Sequence, residues 1–366
     1  MYKVLISGYY GFNNIGDESV LRAVVTNLRA RLKDIEITVL SQRPEDTMEK
    51  FGVRAVPRMS PLAILREVGR CDMLISGGGS LLQDVTSSKS IHYYLLIINL
   101  ALALRKKVFI YSQGIGPIRD AGNRRRTART LKHVHGIVVR DDGSRKLLEE
   151  IGIPAERVIV TADPVLRIER PALEPGAEIL RAEDAERLKN CPLIGWAVKE
   201  RNPDSPFAKE VERCICWLEE TYHARCVLIP FHYEEDLNFA IQAADRLSAQ
   251  NVGCIRSKHL SDEMLSIIGN MDFLVGVRLH SLIYAAVMDV PMLGISYDPK
   301  VDAFLNSIGQ QAVSATGEFT LEQFRPAFEK AWKERETLRR SIAARRDALQ
   351  KKLNTNENMI AALIDG

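Results

Sequence analysis

Residues 3–18 of the chain read KVLISGYYGFNNIGDE. Lys3–Ser7 is a continuous apolar strand pattern that stops at Gly8, and Ser19–Leu32 then carries helical spacing. Between them Gly8, Gly11 and Gly16 allow positive φ and close approach of the backbone to a ligand. The unit recurs. Strand patterns stand at Glu36–Leu40, Met73–Ser76, Lys107–Ser112, Gly136–Val139 and Val158–Thr161, with helical stretches at Ser90–Leu104, Arg124–Lys132 and Ser144–Ile151. Nearly continuous apolar strands that end in polar or Gly-rich turns are what a parallel sheet covered on both faces requires. The first 170 residues therefore predict a doubly wound, Rossmann-like α/β domain.

The alternation breaks from Glu169 to Asn190, where RPALEPGAEI is followed by the charged run RAEDAERLKN. It restarts with strands at Leu193–Val198, Cys226–Pro230, Gly253–Arg256, Phe273–Val277 and Met292–Ser296. Helices over Phe207–Tyr222, Glu234–Ala249, Ser261–Gly269 and Leu282–Met288 lie between them. A second Rossmann-like domain is expected over residues 190–320, and a charged helical segment over 321–366. Two such halves and a long final helix predict a GT-B-like arrangement with its site in the cleft between the domains. Open parallel sheets bind ligands at the carboxyl ends of their strands, and this rule selects the loops to read.

Composition excludes several classes. With 50 basic and 47 acidic side chains the net charge is +3, so nothing demands a nucleic-acid partner, and no nucleic-acid-binding motif is present. The six cysteines form no C-x-x-C pair and are expected to be reduced core residues of a cytosolic protein. The start of the chain enters a strand directly, with no signal-peptide pattern. The longest apolar run, Ile91–Leu104, contains Asn99 and is shorter than the roughly 20 residues that span a bilayer. It reads as a buried helix, and a cytoplasmic location is expected.

In the first half, the Gly8–Glu18 loop is neither a G-x-G-x-x-G fingerprint nor a P-loop. Asp17 and Glu18 stand where the helix begins and already complement its positive dipole end. A phosphate there would meet two carboxylates, so the loop suits sugar hydroxyls, with Tyr10 or Phe12 as a stacking surface. The plainer alternative is acidic capping beside an aromatic loop packed in the core. Gly77-Gly78-Gly79-Ser80 follows another strand, and its amides can hold an oxygen-rich ligand; a close-packed strand–helix turn is the alternative. Gln113-Gly114-Ile115-Gly116-Pro117 is expected on the same edge. Arg140 ends the strand Gly136–Val139 and can offer its planar fork to a carboxylate or phosphate, or pair with a local aspartate. Asp163 ends the next strand and is expected only to shape the cleft.

In the second half, FLVGVRLHSLIYAA over 273–286 places Arg278 and His280 at a strand end and a helix N-terminus, where anions are favoured. Lys300, in YDPK, offers a second cation from the neighbouring loop. His232, after Ile229-Pro230-Phe231, is a further cleft candidate.

GYYGFNNIGDE, GGGSLLQD, QGIGP, VRDDGS, RLHSLIYAA and YDPK occur in this order over residues 8–300. The ordered set resembles the polysaccharide pyruvyl transferase family, most closely its CsaB-type branch. The resemblance implies a GT-B-like fold and phosphoenolpyruvate as donor. It also implies transfer of pyruvate as a 4,6-ketal onto N-acetylmannosamine of a lipid-linked secondary cell-wall polymer precursor, a group recognised by surface-layer homology domains. Arg278, Leu279 and His280 match its donor-site motif, and Arg140 and Lys300 match further donor-site cations. Tyr10 and Phe12 match its acceptor loop. The N-terminal domain is thus expected on the acceptor side, with Asn14, Asp17 and Glu18 in that loop, and the C-terminal domain on the donor side. The cleft loops contribute Gly77, Gly78, Gly79, Gln113 and His232, and no cofactor or metal is implied.

The residue types fit that chemistry. A ketal from phosphoenolpyruvate needs cations for the carboxylate and phosphate, and an acid that protonates the methylene carbon. His280 is the expected acid. The alternatives are a GT-B glycosyltransferase using a nucleotide sugar and a non-enzymatic assembly or regulatory protein with a decayed site. Arg124, Arg125, Arg126 and Arg129, or Arg339, Arg340, Arg345, Arg346, Lys351 and Lys352, could give weak peripheral contact with an anionic membrane; a solvated helix face is the alternative.

Overall fold

The computed structural model describes residues 1–85, 88–188, 191–247 and 251–365. Lys189 and Asn190, at the end of the expected break, and the last two residues of the helix expected over Glu234–Ala249 lie outside the described residues. The chain forms two compact units, Met1–Ile168 with Leu349–Gly366, and Glu169–Ala348.

The first unit is built on a seven-stranded sheet: β1 (Tyr2–Ser7), β2 (Ile35–Ser41), β3 (Arg54–Pro57), β4 (Met73–Gly77), β5 (Lys107–Gln113), β6 (Gly136–Val139) and β7 (Val158–Val160). The order is β3-β2-β1-β4-β5-β6-β7, and every pairing is parallel. Its helices are α1 (Ile15–Arg31), α2 (Pro44–Phe51), α3 (Pro61–Arg70), α4 (Ser88–Ala103), α5 (Ala121–Leu131) and α6 (Asp142–Glu150). Leu5, Leu74, Val108 and Ile110 of the sheet share one core with Ile91, Tyr94 and Ile98 of α4. The apolar run read as a buried helix is α4, although Leu96 on it is exposed. The short strand β3 and helices α2 and α3 escaped the sequence reading. β3 is an edge strand of three half-buried residues and a final, exposed proline, and such a strand shows no buried apolar run.

The second unit repeats the plan with five parallel strands: β8 (Leu193–Ala197), β9 (Arg225–Leu228), β10 (Val252–Cys254), β11 (Phe273–Gly276) and β12 (Met292–Gly294). Their order is β10-β9-β8-β11-β12. Around them lie α7 (Glu174–Ala182), α8 (Pro206–Tyr222), α9 (Tyr233–Arg246), α10 (Ser261–Gly269), α11 (Leu279–Val287), α12 (Pro299–Ser307), α13 (Leu321–Lys333) and the start of the long α14 (Arg335–Asp365), which from Leu349 on belongs to the first unit. The segment expected from Leu321 onward is not set apart. Thr320 caps α13, whose Phe324 and Phe328 enter the same core as Trp196, Trp217 and Phe273. Burying each such side chain contributes about 1.5–3 kcal/mol.

Both sheets reverse direction of winding beside their first strand. In the first unit Ser7 of β1 pairs with Ser76 of β4, and in the second Ala197 of β8 pairs with Gly276 of β11. Loops leaving these strand pairs at their carboxyl ends sit where open α/β sheets take ligands.

All six cysteines are free, and Cys71, Cys214, Cys226 and Cys254 are buried. No helix of the described residues is long and apolar enough to cross a membrane.

Candidate functional site

In the first unit, Asn14 caps α1 by accepting from the Gly16 amide at 3.1 Å. Asp17 and Glu18 fall in the first turn, and Glu18 Oε1 accepts from the Gly11 amide at 2.8 Å, which closes the loop on itself. Tyr10 is not a stacking surface: it is 1% exposed, and its ring fills the space that a Cβ at Gly8 or Gly77 would need. Burial, then the charge of Asp17, pushes its hydroxyl well above the usual phenol range. The stacked pair here is Tyr9 on Phe12, with ring centroids 4.0 Å apart and planes within 3°.

Beneath that pair lies Arg58, which the sequence reading missed. Its guanidinium is 5.0 Å from the Phe12 ring and 4.5 Å from that of Tyr93. It donates to the Gly8 carbonyl at 3.0 Å and to the Tyr94 hydroxyl at 3.4 Å. Arg58 is 7% exposed. It follows β3, the strand whose brevity hid it.

The glycine run after β4 is explained by packing. A Cβ at Gly78 would lie 2.1 Å from Val20 Cγ1 of α1, one at Gly77 would meet the Tyr10 hydroxyl at 2.7 Å, and Gly79 has φ +76°. The two neighbouring loops do share an edge, since the Gly114 amide donates to the Gly79 carbonyl at 2.8 Å. Gln113 is fully buried, and neither its Oε1 nor its Nε2 has a hydrogen-bond partner among the described residues. The Arg140 side chain is buried and spoken for. It donates to Asp163 Oδ2 at 2.8 Å and to Ser80 Oγ at 2.9 Å, with Asp141 Oδ2 at 3.7 Å. Asp163 is therefore the counter-charge of Arg140.

The second unit gathers the remaining candidates on one sheet edge. The helix after β11 starts at Leu279, earlier than the expected Leu282, so Arg278 is its N-cap and His280 lies in its first turn. The Leu279 side chain is buried in the core, leaving only its backbone for a ligand. Arg278 donates from Nε to Asp236 Oδ2 at 3.0 Å and from Nη2 to Glu235 Oε2 at 2.9 Å. Asp236 is buried and also accepts from the amides of Phe231 and His232, at 3.2 and 2.8 Å. His232 is the N-cap of α9, and its Nδ1 is buried without a hydrogen-bond partner among the described residues. From the β12 loop come Tyr297 and Lys300, whose Nζ lies 3.3 Å from Asp298 Oδ2.

Lys199, just beyond β8, also belongs to this edge. Its Nζ is 3.8 Å from the centre of the Tyr297 ring, and Lys300 Nζ is 5.3 Å from the same ring. Burial, then the charges of Arg278 and Lys300, holds the Lys199 ammonium below the usual lysine range, against the pull of Glu235 and Asp298. Burial pushes Glu235 up, but the hydrogen bonds from Arg278 and Arg201 and the charges of His232 and Arg278 outweigh it and bring the carboxyl down to about 2. The arrangement is a strand-end edge where Lys199, Arg278 and Lys300 stand among the carboxylates of Glu235, Asp236 and Asp298, with His232 and His280 at the starts of the adjoining helices. Lys199 was findable, being the first cation after the strand Leu193–Val198, the same signal that singled out Arg278. Among the described residues no group of three or more His, Cys, Asp and Glu side chains is placed to hold a metal ion.

Known proteins match this architecture. The HepE protein of Anabaena, solved with UDP and glucose, covers all of this chain and is itself fully covered, with a TM-score of 0.67 at 10% identity. The UDP-GlcNAc 2-epimerase of Neisseria meningitidis covers 97% of this chain and 100% of its own, with a TM-score of 0.61 at 16% identity. These likenesses concern the fold, which is GT-B-like with two Rossmann-like halves. In sequence, the amylovoran biosynthesis protein AmsJ of Erwinia amylovora is 20% identical over 367 residues, covering 84% of this chain and 86% of AmsJ. The family profile described as polysaccharide pyruvyl transferase matches residues 14–299, a span that holds the Gly77–Ser80 and Gln113–Pro117 loops of the first unit and the Arg278–His280 edge of the second. The chain belongs to the polysaccharide pyruvyl transferase family, and with it to the transferases of polysaccharide biosynthesis.

Proposed function

We propose that the protein moves pyruvate from phosphoenolpyruvate onto a cell-envelope glycan precursor, as a CsaB-type enzyme acting on N-acetylmannosamine of a lipid-linked secondary cell-wall polymer repeat. The observation that carries this reading is the convergence of Lys199, Arg278, Lys300 and His280 on one strand-end edge of the second unit. A small anion with a carboxylate and a phosphate matches such an edge better than a nucleoside does. We assign the donor to this edge and the acceptor sugar to the Tyr9–Phe12 pair of the first unit, where an aromatic face can cover the C–H face of a pyranose.

The steps balance without a cofactor. His280 as imidazolium gives its proton to the methylene carbon of the donor, and C2 becomes electrophilic. One sugar hydroxyl adds to C2 and loses its proton, which restores the imidazolium. The C2–O bond to phosphate breaks, and the second hydroxyl closes the 4,6-ketal as its proton leaves with phosphate. Asp17 and Glu18 are assigned to the acceptor loop, where their carboxylates suit sugar hydroxyls. Arg140 is the weakest of the proposed donor cations, because Asp163 and Asp141 already surround it. The proposed location is the cytoplasm, with peripheral contact to the inner membrane face where a lipid-linked acceptor would lie, and no nucleic-acid partner.

The rival reading, a glycosyltransferase using a nucleotide sugar, rests on fold, which does not fix function. Incubating the protein with phosphoenolpyruvate and an N-acetylmannosamine-terminated lipid-linked acceptor should release phosphate and add a pyruvate ketal. Tight binding of uridine diphosphate with no binding of phosphoenolpyruvate would give the case to the rival.

A further inference from the structure

We infer that Lys199 is the principal anion-binding cation of the second unit, and that Arg278 chiefly positions the loops around it. The inference deepens the donor reading above and rests on it for the identity of the anion.

The argument is one of charge already used. Arg278 meets two carboxylates, Asp236 through both Nε and Nη2 and Glu235 through Nη2. A guanidinium held by two carboxylates has little positive potential left for a ligand, and stripping it from buried partners is costly. Lys300 has Asp298 at 3.3 Å. Lys199 has no carboxylate within 4.0 Å among the described residues; its ammonium rests over the ring of Tyr297. It is also half-buried, where a charge interacts more strongly than it does in water.

Position agrees. Lys199 leaves the carboxyl end of β8 and Arg278 that of β11, and these neighbours are the pair at which the strand order reverses. That is where open α/β sheets take ligands. The ammonium of Lys199 therefore stands at the switch point, with Lys300 on the same aromatic ring and His280 in the first turn of the adjoining helix. An ammonium on an aromatic ring keeps its N–H donors for an anion on its other side. Arg278 joins the β9 and β11 loops through Asp236, which fixes the walls.

Binding of inorganic phosphate and of phosphoenolpyruvate to the full chain is to be measured by calorimetry near neutral pH. The proteins are wild type, Lys199→Met, Lys199→Arg and, as a control for net charge, Lys146→Met on the exposed face of the first unit. Lys199→Met should weaken both anions by about 10- to 100-fold, the scale of one lost charged hydrogen bond. Lys199→Arg should recover most of the affinity, and Lys146→Met should match wild type. Circular dichroism reports whether each variant is folded. In a second readout, phosphate should protect Lys199 of the wild type from an amine-acylating reagent, as mapped by mass spectrometry. Phosphate binding that Lys199→Met loses, in a protein that turns over no phosphoenolpyruvate, rejects the donor reading and upholds this inference. Equal affinity of wild type and Lys199→Met for both anions, or equal acylation with and without phosphate, overturns it.

Discussion

Arg278 Nε donates to Asp236 Oδ2 at 3.0 Å, and that same oxygen accepts from the His232 amide at 2.8 Å. One buried carboxylate thus ties the loop after β9 to the loop after β11. Asp236→Ala should destabilise the protein by about 3 kcal/mol, at the low end for breaking a buried pair because Glu235 still faces Arg278. Asp236→Asn keeps an acceptor and should lose less. Urea unfolding checks both. An Asp236→Ala variant within about 0.5 kcal/mol of wild type, the range of an ordinary surface change, would show that the tie carries no stability.

Glu235 gives a pH signature. Its folded-state carboxyl is lowered from 4.5 to about 2, so folding favours its ionised form. The stability it adds is complete above pH 4.5 and is lost as pH falls towards 2. Glu235→Gln should flatten the thermal-stability profile across that window and leave the slope from pH 7 to 9 unchanged. A variant with the same acid slope as wild type would place the linkage on other carboxylates.

The fold was legible because each buried strand is a short apolar run closed by a loop of chemistry-bearing residues, as in Lys3–Ser7 or Phe273–Val277. Side-chain pairing was not. A sequence can say that Arg140 and Arg278 leave strand ends, but their counter-charges, Asp163 and Asp236, are 23 and 42 residues distant. The choice between Tyr9 and Tyr10 was equally hidden. It depends on which ring fills the space above Gly8 and Gly77, and that space exists only once β1 and β4 are paired. Arg58 was lost with the edge strand before it.

The basic surfaces expected at a membrane are reduced by one member. Arg346 is buried, paired with Asp289 and Asp347, and donates to the carbonyls of Ala286 and Val287 at the end of α11. It is a structural residue. Arg124, Arg125, Arg126 and Arg129 remain exposed on α5. We predict that replacing Arg124, Arg125 and Arg129 by Gln weakens co-sedimentation with anionic vesicles, at about 1 kcal/mol per charge. The wild-type interaction should fade with added salt. Arg346→Gln should lower stability and leave vesicle binding unchanged. Sedimentation that is the same with neutral and anionic lipid disposes of the idea.

His280 separates proton transfer from anion binding. It sits in the first turn of α11, two residues after the Arg278 N-cap and beside the cations that we assign to the donor. An asparagine there can keep one hydrogen bond, but it cannot deliver a proton near neutral pH. His280→Asn should therefore retain the fold and most of the donor affinity while turnover falls by about 10²- to 10⁴-fold, the range for a general acid. Lys199→Met should do the reverse, raising KM for the donor more than it lowers kcat. Wild-type kcat should decline on the alkaline side as the imidazolium is lost, and the residual rate of His280→Asn should lack that limb. Lys300 and Arg140 are poor substitutes, since arginine does not titrate in this range and both already face carboxylates. If His280→Asn turns over at close to the wild-type rate with saturating donor, the acid is another group on the same edge. His232, with its buried Nδ1, is the next to test.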